Sequence, residues 1–398
     1  MSIARSSFGP IDYKTRFPAL DGIRALAIAL VFIEHFGGGS HGGRVLRLVN
    51  QVRLRGWIGV DLFFVLSGFL ITGILYDTRF DSHYFKRFFL RRSVRILPIF
   101  YLVALLLLIM NPFLHYQLRA GHLLFLLYLG NMIGNYDFSY YNFVSKAHPN
   151  FLFNIGHLWS LCVEEQFYLL WPFIVWKYPD RVKLIRIAAS LICLAAVFRA
   201  ILYFSMGAEL AERWGVRTLP FRMDSLLMGG VLALLLRGAN ASLWQRRCRT
   251  IFLFAGGATL LMFLAGIDDY SSAFFPICGF TIVALGSAGL IGMVLHSGSK
   301  SFRMFHVRPL RTLGKYSYGF YVYHDIFAWA WIQFLVFLMA RLHSMPLAGF
   351  IALGSNVVVT FLIAKYSYEL FEVRFLRLKK GFEYDSELSS DKHAFLTT

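Results

Sequence analysis

An all-α integral membrane protein is the architecture this 398-residue sequence predicts, with about ten transmembrane helices of roughly 20 residues each. Three observations carry that reading. Charged residues make up only 16% of the chain and hydrophobic ones 57%, whereas soluble domains are about a quarter charged. Mean hydropathy is +0.57, and the runs 97–110, 252–267 and 347–363 contain few or no ionisable side chains. The basic residues gather between apolar runs, as the positive-inside rule expects. The formal charge of +18 therefore points to membrane orientation rather than nucleic acid, because no basic patch interleaves with exposed aromatics.

Taken in order, spans are expected near 18–37, 57–76, 97–113, 157–177, 184–206, 218–236, 250–267, 274–297, 316–341 and 346–368. Arg79, Lys86, Arg87, Arg91, Arg92 and Arg95 follow the second span, and later basic loops run 177–186, 237–249, 300–315 and 374–380. With both termini cytoplasmic, all five stretches lie inside. Loops on the opposite side, such as 266–272, carry little positive charge; the loop 38–56, with Arg44, Arg47, Arg53 and Arg55, breaks that pattern. Segment 121–133 is apolar but short. Counting it as a crossing would invert every later loop, so it is expected to be a re-entrant or surface segment inside an external loop, 114–156, with its backbone buried by protein. Residues 1–384 form one membrane domain and 385–398 a polar, disordered tail. The polar first 17 residues give no signal peptide. Asn240-Ala-Ser matches a glycosylation acceptor but is expected in the cytoplasm, where it is silent.

Ionisable residues inside the spans are the candidates for chemistry. Arg24 and His35 stand eleven positions apart in the first span, on nearly one face and about 16 Å apart along the axis. His35 reads either as an interface histidine bonded to a carbonyl or as a general base, since neutral imidazole suits that role. The second span holds small residues, Gly59, Ser67 and Gly68, that suit close helix packing. It also holds Asp61, whose pairing with an arginine would serve structure or function alike. Arg92 and Arg95, three apart before Pro98, are neighbours on a helix. Their guanidinium forks fit phosphate oxygens, although ordinary positive-inside anchoring or headgroup binding explains such a ledge too. The fourth span opens His157-Leu-Trp159-Ser160-Leu-Cys-Val-Glu164-Glu165. Adjacent helical positions point about 100° apart, so one of the two carboxylates faces a given site. Arg222 and Asp224 open the sixth span and read as an interface ion pair or as a grip on an acceptor's hydroxyls. Ser317, Tyr318 and His324 of the ninth span line the cavity or pack.

Several alternatives lack their usual signatures. The sequence has no Gly-x-Ser-x-Gly elbow, no Walker-type loop, no His-Glu-x-x-His helix and no Cys/His cluster, so no metal is expected. Cys162, Cys193, Cys248 and Cys278 form no CxxC pair and read as buried, inert thiols.

Together these segments resemble the acyltransferase 3 family of transmembrane acyltransferases. The resemblance rests on Leu20-Asp-Gly-Ile-Arg24-Ala followed by His35; Gly59-Val-Asp-Leu-Phe-Phe-Val-Leu-Ser-Gly-Phe-Leu-Ile-Thr72; Arg92-x-x-Arg95 before Pro98; Trp159-Ser-Leu with Glu164; Phe221-Arg-Met-Asp224 with its glycines; and Leu313-Gly-Lys-Tyr-Ser-Tyr318 with His324. No single motif decides; six in order, over about residues 18–375, are specific. The resemblance implies about ten transmembrane helices, an acyl-CoA donor on the cytoplasmic side and an acceptor reached within or beyond the membrane. Members O-acetylate surface polysaccharides, peptidoglycan, lipooligosaccharide signals or macrolides. Some carry a C-terminal SGNH hydrolase-like domain, which a chain ending here is not expected to hold. The family often ends near Glu-Arg-Pro, whereas this sequence has Glu372-Val-Arg374, so no role is carried over to Glu372.

The joined expectation is an O-acyltransferase of the cell's inner membrane. It moves acetyl from acetyl-CoA to a hydroxyl of a glycan, lipid-linked sugar or small molecule. CoA phosphates rest on Arg92 and Arg95. His35 takes the acceptor's proton, Glu164 positions that histidine or holds the acceptor, and Arg24 stabilises developing charge or helps bind CoA. Trp159, Ser160, Arg222, Asp224 and His324 line the acceptor's side. The rivals are a transporter or flippase with an intramembrane His/Arg/Glu proton relay, for which no internal repeat is evident, and a non-catalytic scaffold or sensor.

Overall fold

The structure is a computed structural model, described here for residues 17–36, 50–115, 119–144, 152–296 and 299–384. Arg44, Arg47, residues 1–16 and the tail 385–398 lie outside those residues.

The main helices are α1 (Ala19–Phe36), α2 (Ile58–Asp77), α3 (Tyr84–Leu114), α4 (Trp159–Lys177), α5 (Arg181–Arg217), α6 (Leu219–Leu235), α7 (Ala241–Leu264) and α8 (Phe280–Val294). The short α9 (Lys300–Phe305) and α10 (Arg308–Lys315) then lead to α11 (Ser317–Tyr323), α12 (Ala328–Leu342) and α13 (Met345–Ser367). Among the described residues, six helices are long and apolar enough to cross a membrane, or seven when α11 and α12 count as one span bent by 73°. Those seven match spans two, three, five, seven, eight, nine and ten of the sequence reading. The other three are α1, α4 and α6. They fail a purely apolar test because α1 carries Asp21, Arg24 and Glu34, α4 carries Glu164 and Glu165, and α6 is only 17 residues long. All three carry ionisable groups into the bundle, as α2 and α5 also do with the buried Asp61 and Arg199.

Helix α6 is clasped between α2 and α5, and α1 packs on α2 and α10. The α2–α6 approach needs glycine on both sides. A Cβ on Gly68 would lie 1.7 Å from the Leu226 carbonyl oxygen, and one on Gly229 would lie 1.9 Å from that of Val65. Small residues let the two backbones touch where bulkier ones would hold them apart.

Several expected boundaries move. Helix α3 starts at Tyr84, not 97, so Arg92 and Arg95 sit within it and Pro98 is inside its length. Helix α5 runs on to Arg217 past a kink at Gly207, whose φ of +79° only glycine adopts at little cost. The ninth span is two helices, broken after Tyr323. A short π-helical stretch, Phe275–Gly279, leads into α8. Cys193 is exposed on α5 rather than buried, because this helix turns most of its surface outward.

The segment between α3 and α4 departs from an all-α chain. It forms short helical turns at Leu123–Leu126 and Gly130–Tyr136 and an antiparallel hairpin, β1 (Asn142–Val144) with β2 (Leu152–Asn154), in which Phe143 faces Phe153. Its irregular backbone is held by protein: Gln166 donates to the Tyr128 carbonyl at 3.0 Å and to Asn131 Oδ1 at 3.0 Å, and Asn131 donates to the Arg217 carbonyl at 2.8 Å. Side chains thereby satisfy polar backbone that lipid would leave unpaired.

The basic stretches converge on one end of the bundle. Arg237 forks onto Asp77 at 2.8 Å, Arg181 reaches the Leu234 carbonyl, and Arg91 reaches the Phe382 carbonyl. At the opposite end Arg55 pairs with Asp268 at 2.8 Å, and Arg53 donates to the Glu34 carbonyl. Two of the four arginines that break the charge rule therefore have partners within the protein.

Candidate active site

Two cavities lie on opposite sides of a narrow septum. The first, about 110 Å³, opens toward the basic end and is lined by Arg24, Ser67, Arg92, Arg95, Glu164 and Tyr318, among others. Arg24 is tied to Asp21 at 2.5 Å, one turn away. Arg92 lies over the Tyr168 ring, whose hydroxyl bonds Ser67. Among the described residues, Arg92 and Arg95 form no ion pair. Two guanidinium groups beside a cavity, without a bonded carboxylate, form a ready site for an anion with several oxygens.

The second cavity, about 270 Å³, is bordered by His35, His157, Trp159, Arg217, Asn154 and Asp325 with neighbours from the hairpin. His35, at the end of α1, holds its Nδ1 2.8 Å from the Val31 carbonyl. A carbonyl only accepts, so Nδ1 carries the proton and the lone pair of neutral imidazole sits on Nε2. His324 repeats the arrangement, with Nδ1 2.6 Å from the Tyr321 carbonyl. The His35 and His324 rings meet edge to face at 5.0 Å, and His157 lies 4.8 Å from His324 on the other side. His157 donates from Nε2 to the Val322 carbonyl at 3.0 Å and turns Nδ1 toward Asp325, 3.6 Å away. The break after Tyr323 is what makes this possible: a continuous helix would carry His324 and Asp325 about 100° apart around one axis, whereas here both reach the same imidazole. Among the described residues, no group of three or more His, Cys, Asp or Glu is arranged to hold a metal ion.

The septum consists of Ser160, Tyr321 and the His157 backbone. Ser160 Oγ lies 2.5 Å from the Tyr321 hydroxyl, which in turn donates to the His157 carbonyl at 2.6 Å. Ser160 and Tyr321 face the arginine cavity; His157 and Trp159, on the same turn of chain, face the histidine cavity.

Not every residue singled out in the sequence meets the others. Arg24, Arg92, Arg95 and Glu164 share the first cavity; His35 and Trp159 border the second; Ser160 and His324 stand between or beside them. Glu164 therefore does not orient His35, because the septum separates them. The carboxylate on the histidine side is Asp325, acting through His157. Sequence reasoning passed over that pair: Asp325 is a lone acid after His324, and its 168-residue separation from His157 gives no local pattern. Arg222 and Asp224 correct another expectation. They do not pair with each other and border neither cavity. Arg222 bonds Asp61 at 2.7 Å, where Ser225 also donates at 2.7 Å; Asp224 bonds Arg199 at 2.9 Å and accepts from Thr281 at 2.6 Å. All four charges are buried and lock α2, α5, α6 and α8 together.

The family model of an acyltransferase domain matches residues 17–365. The chain is 31% identical over 322 residues to the peptidoglycan O-acetyltransferase OatA of Listeria monocytogenes, covering 77% of this chain and 48% of that protein. It is 30% identical over 375 residues to the putative peptidoglycan O-acetyltransferase YrhL of Bacillus subtilis, covering 89% and 54%. It is 26% identical over 402 residues to the O-acetyltransferase OatA of Staphylococcus aureus, covering 97% and 61%. The chain thus spans about half to three fifths of the length of these relatives. No solved structure matches it. With that match along nearly its whole length, and with its cationic and imidazole cavities built from the motif residues, the chain belongs to the acyltransferase 3 family.

Proposed function

We propose that this protein is a ten-span O-acetyltransferase of the cytoplasmic membrane, with both termini inside. It takes acetyl from acetyl-CoA on the cytoplasmic side and delivers it to a hydroxyl of a glycan on the other. The observation that carries this reading is the pair of cavities back to back in one bundle, one lined by Arg92 and Arg95, which form no ion pair among the described residues, and the other by a histidine with a free Nε2 lone pair. The names of the relatives support acetyl as the group and a cell-wall glycan as the acceptor.

In this reading the CoA phosphates rest on Arg92 and Arg95, Arg24 adds positive charge, and the thioester points toward the septum. The acceptor hydroxyl enters beside His35. His35 Nε2 removes its proton as the hydroxyl oxygen attacks the thioester carbonyl. The tetrahedral intermediate collapses with cleavage of the carbon–sulfur bond, and the imidazolium returns the proton to the departing CoA thiolate. Asp325 and His157 hold the electrostatic environment of that imidazolium through His324. Positioned proton transfer of this kind accounts for about 10²–10⁴-fold in rate. Purified membranes given labelled acetyl-CoA and a glycan acceptor provide the test. His35→Ala, expressed and inserted normally, is expected to lose transfer; undiminished transfer would remove His35 from the mechanism.

A further inference from the structure

Residues 142–143 and 154–159 divide between two cavities. Asn142, Asn154, His157 and Trp159 face the histidine cavity, while Phe143, Ile155 and Leu158 face a separate hollow of about 140 Å³. On β1, Asn142 and Phe143 leave opposite faces as neighbouring strand residues do, while His157 and Leu158 are divided between the cavities by the turn Gly156–Leu158 that leads into α4. Phe100, Val103, Ala104 and Leu107 of α3 complete the hollow, which is apolar except where Arg119 and His122 stand at its rim. Leu108 and Leu123 border it and are 52% and 64% exposed, and Leu105, Leu106 and Ile109 beside them are exposed too. An outward surface of that composition on a membrane-spanning helix faces lipid, so the hollow opens sideways into the bilayer.

Its contents can be bounded. A dry cavity of about 150 Å³ holds a benzene-sized group, so this one accepts roughly one five-carbon unit of chain while the remainder stays in the bilayer. The rim suits a phosphate. His122 Nδ1 lies 2.8 Å from the Arg119 backbone nitrogen and 3.1 Å from its carbonyl oxygen, which fixes the backbone that carries Arg119 at the rim. Arg119 is exposed, and its contacts to Asp137 at 3.1 Å and Ser139 at 2.9 Å both use one guanidinium nitrogen.

We propose that this hollow seats the chain of a lipid-borne acceptor, a sugar joined through phosphate to a polyprenyl chain, so that the phosphate meets Arg119 and the sugar hydroxyl enters the histidine cavity across the hairpin. The inference rests on the acyl-transfer reading and names its acceptor class. The sugar then arrives from the bilayer rather than from solvent.

The test uses the full chain in proteoliposomes with labelled acetyl-CoA and two acceptors, a polyprenyl-phosphate-linked glycan and the same glycan free in water. Ala104→Trp fills the hollow without touching either cavity. It is expected to raise KM for the lipid-linked acceptor about tenfold with kcat nearly unchanged, as loss of uniform binding does, and to leave the soluble acceptor unaffected. Equal effects on both acceptors, or none on either, overturn the proposal. A polyprenyl phosphate bearing a terminal diazirine, applied to the unmodified protein, is expected to label peptides containing Leu107 or Leu123. Labelling elsewhere, or labelling abolished equally well by ordinary phospholipid, also overturns it. If the unmodified protein acetylates neither acceptor, the enzymatic reading fails instead, and the label alone decides the hollow's occupant.

Discussion

Replacing Asp61 by Leu separates a structural role for Arg222 from an acceptor-binding one. Asp61 and Arg222 side chains are 0% and 2% exposed and meet at 2.7 Å, with Ser225 as the carboxylate's second donor. Removing the carboxylate leaves a guanidinium in the bundle interior, over the Phe280 ring at 3.9 Å and the Phe64 ring at 5.7 Å. Breaking a buried pair by deleting one partner typically costs about 3–5 kcal/mol. The two ring faces retain about 1 kcal/mol or more of attraction for the stranded cation, so the lower end, about 3 kcal/mol, applies here. That loss lowers the folded-to-unfolded ratio by about two orders of magnitude. Joining Arg222→Met to Asp61→Leu removes both charges, and most of the lost stability is expected to return. The assay is thermal unfolding in detergent for the two single variants and the double, alongside acetyl transfer by the refolded double in vesicles. A double variant as stable as the parent but with a strongly raised acceptor KM would refute the argument, because Arg222 would then touch the acceptor. So would an Asp61→Leu protein that melts at the parent's temperature.

Other expectations follow from the same geometry. Arg92→Ala and Arg95→Ala should each raise the KM for acetyl-CoA about tenfold or more, since a hydrogen bond to a charged group contributes about 1.5–3 kcal/mol; dephospho-CoA thioesters should discriminate less between parent and variants. Asp325→Asn should slow transfer and shift its pH profile while leaving donor KM unchanged, a combination that simple unfolding does not produce. Gly68→Ala drives a methyl to 1.7 Å from a backbone oxygen of α6 and should cost about 1–3 kcal/mol, as overpacking does. Gly257→Ala, with nothing within 4 Å of its added methyl, should instead hold or gain about 0.5–1 kcal/mol in thermal unfolding from helix propensity.

What could be read in the sequence depended on how local its signal was. The seven apolar spans were legible because twenty apolar residues in a row have few other uses. Helices α1, α4 and α6 were legible as the spans 18–37, 157–177 and 218–236, despite the charges or short length that keep them from a purely apolar test. The break at His324 was not, since Val322-Tyr-His-Asp-Ile326 holds neither proline nor glycine; the contacts across it are tertiary, from His157 in the turn before α4 to the Val322 carbonyl and to Asp325. The continuation of α5 beyond Gly207 was hidden because polar residues follow the apolar run, and glycine there reads as an end. The hairpin was missed for want of length: three residues a side give no period to detect. Arg92, Arg95, Glu164 and His35 stand out in the sequence because charge inside lipid demands an explanation. Their sorting into two cavities does not, because which side of a septum a residue faces depends on partners more than a hundred positions away.

The septum of Ser160, Tyr321 and the His157 carbonyl has a bioenergetic consequence. A membrane that stores a proton gradient cannot tolerate an open aqueous pore, and under the proposed function an acetyl group leaves a cytosolic carrier and arrives on the far side. Two hydroxyls and a carbonyl, sealed to one another, divide the crossing into two blind vestibules. In the proposed transfer the septum parts only where the thioester carbonyl meets the acceptor hydroxyl, and at rest ions meet a closed door. Tyr321→Ala should therefore render vesicles permeable to protons, read by an entrapped pH-sensitive dye; vesicles that stay tight would show that the barrier lies elsewhere.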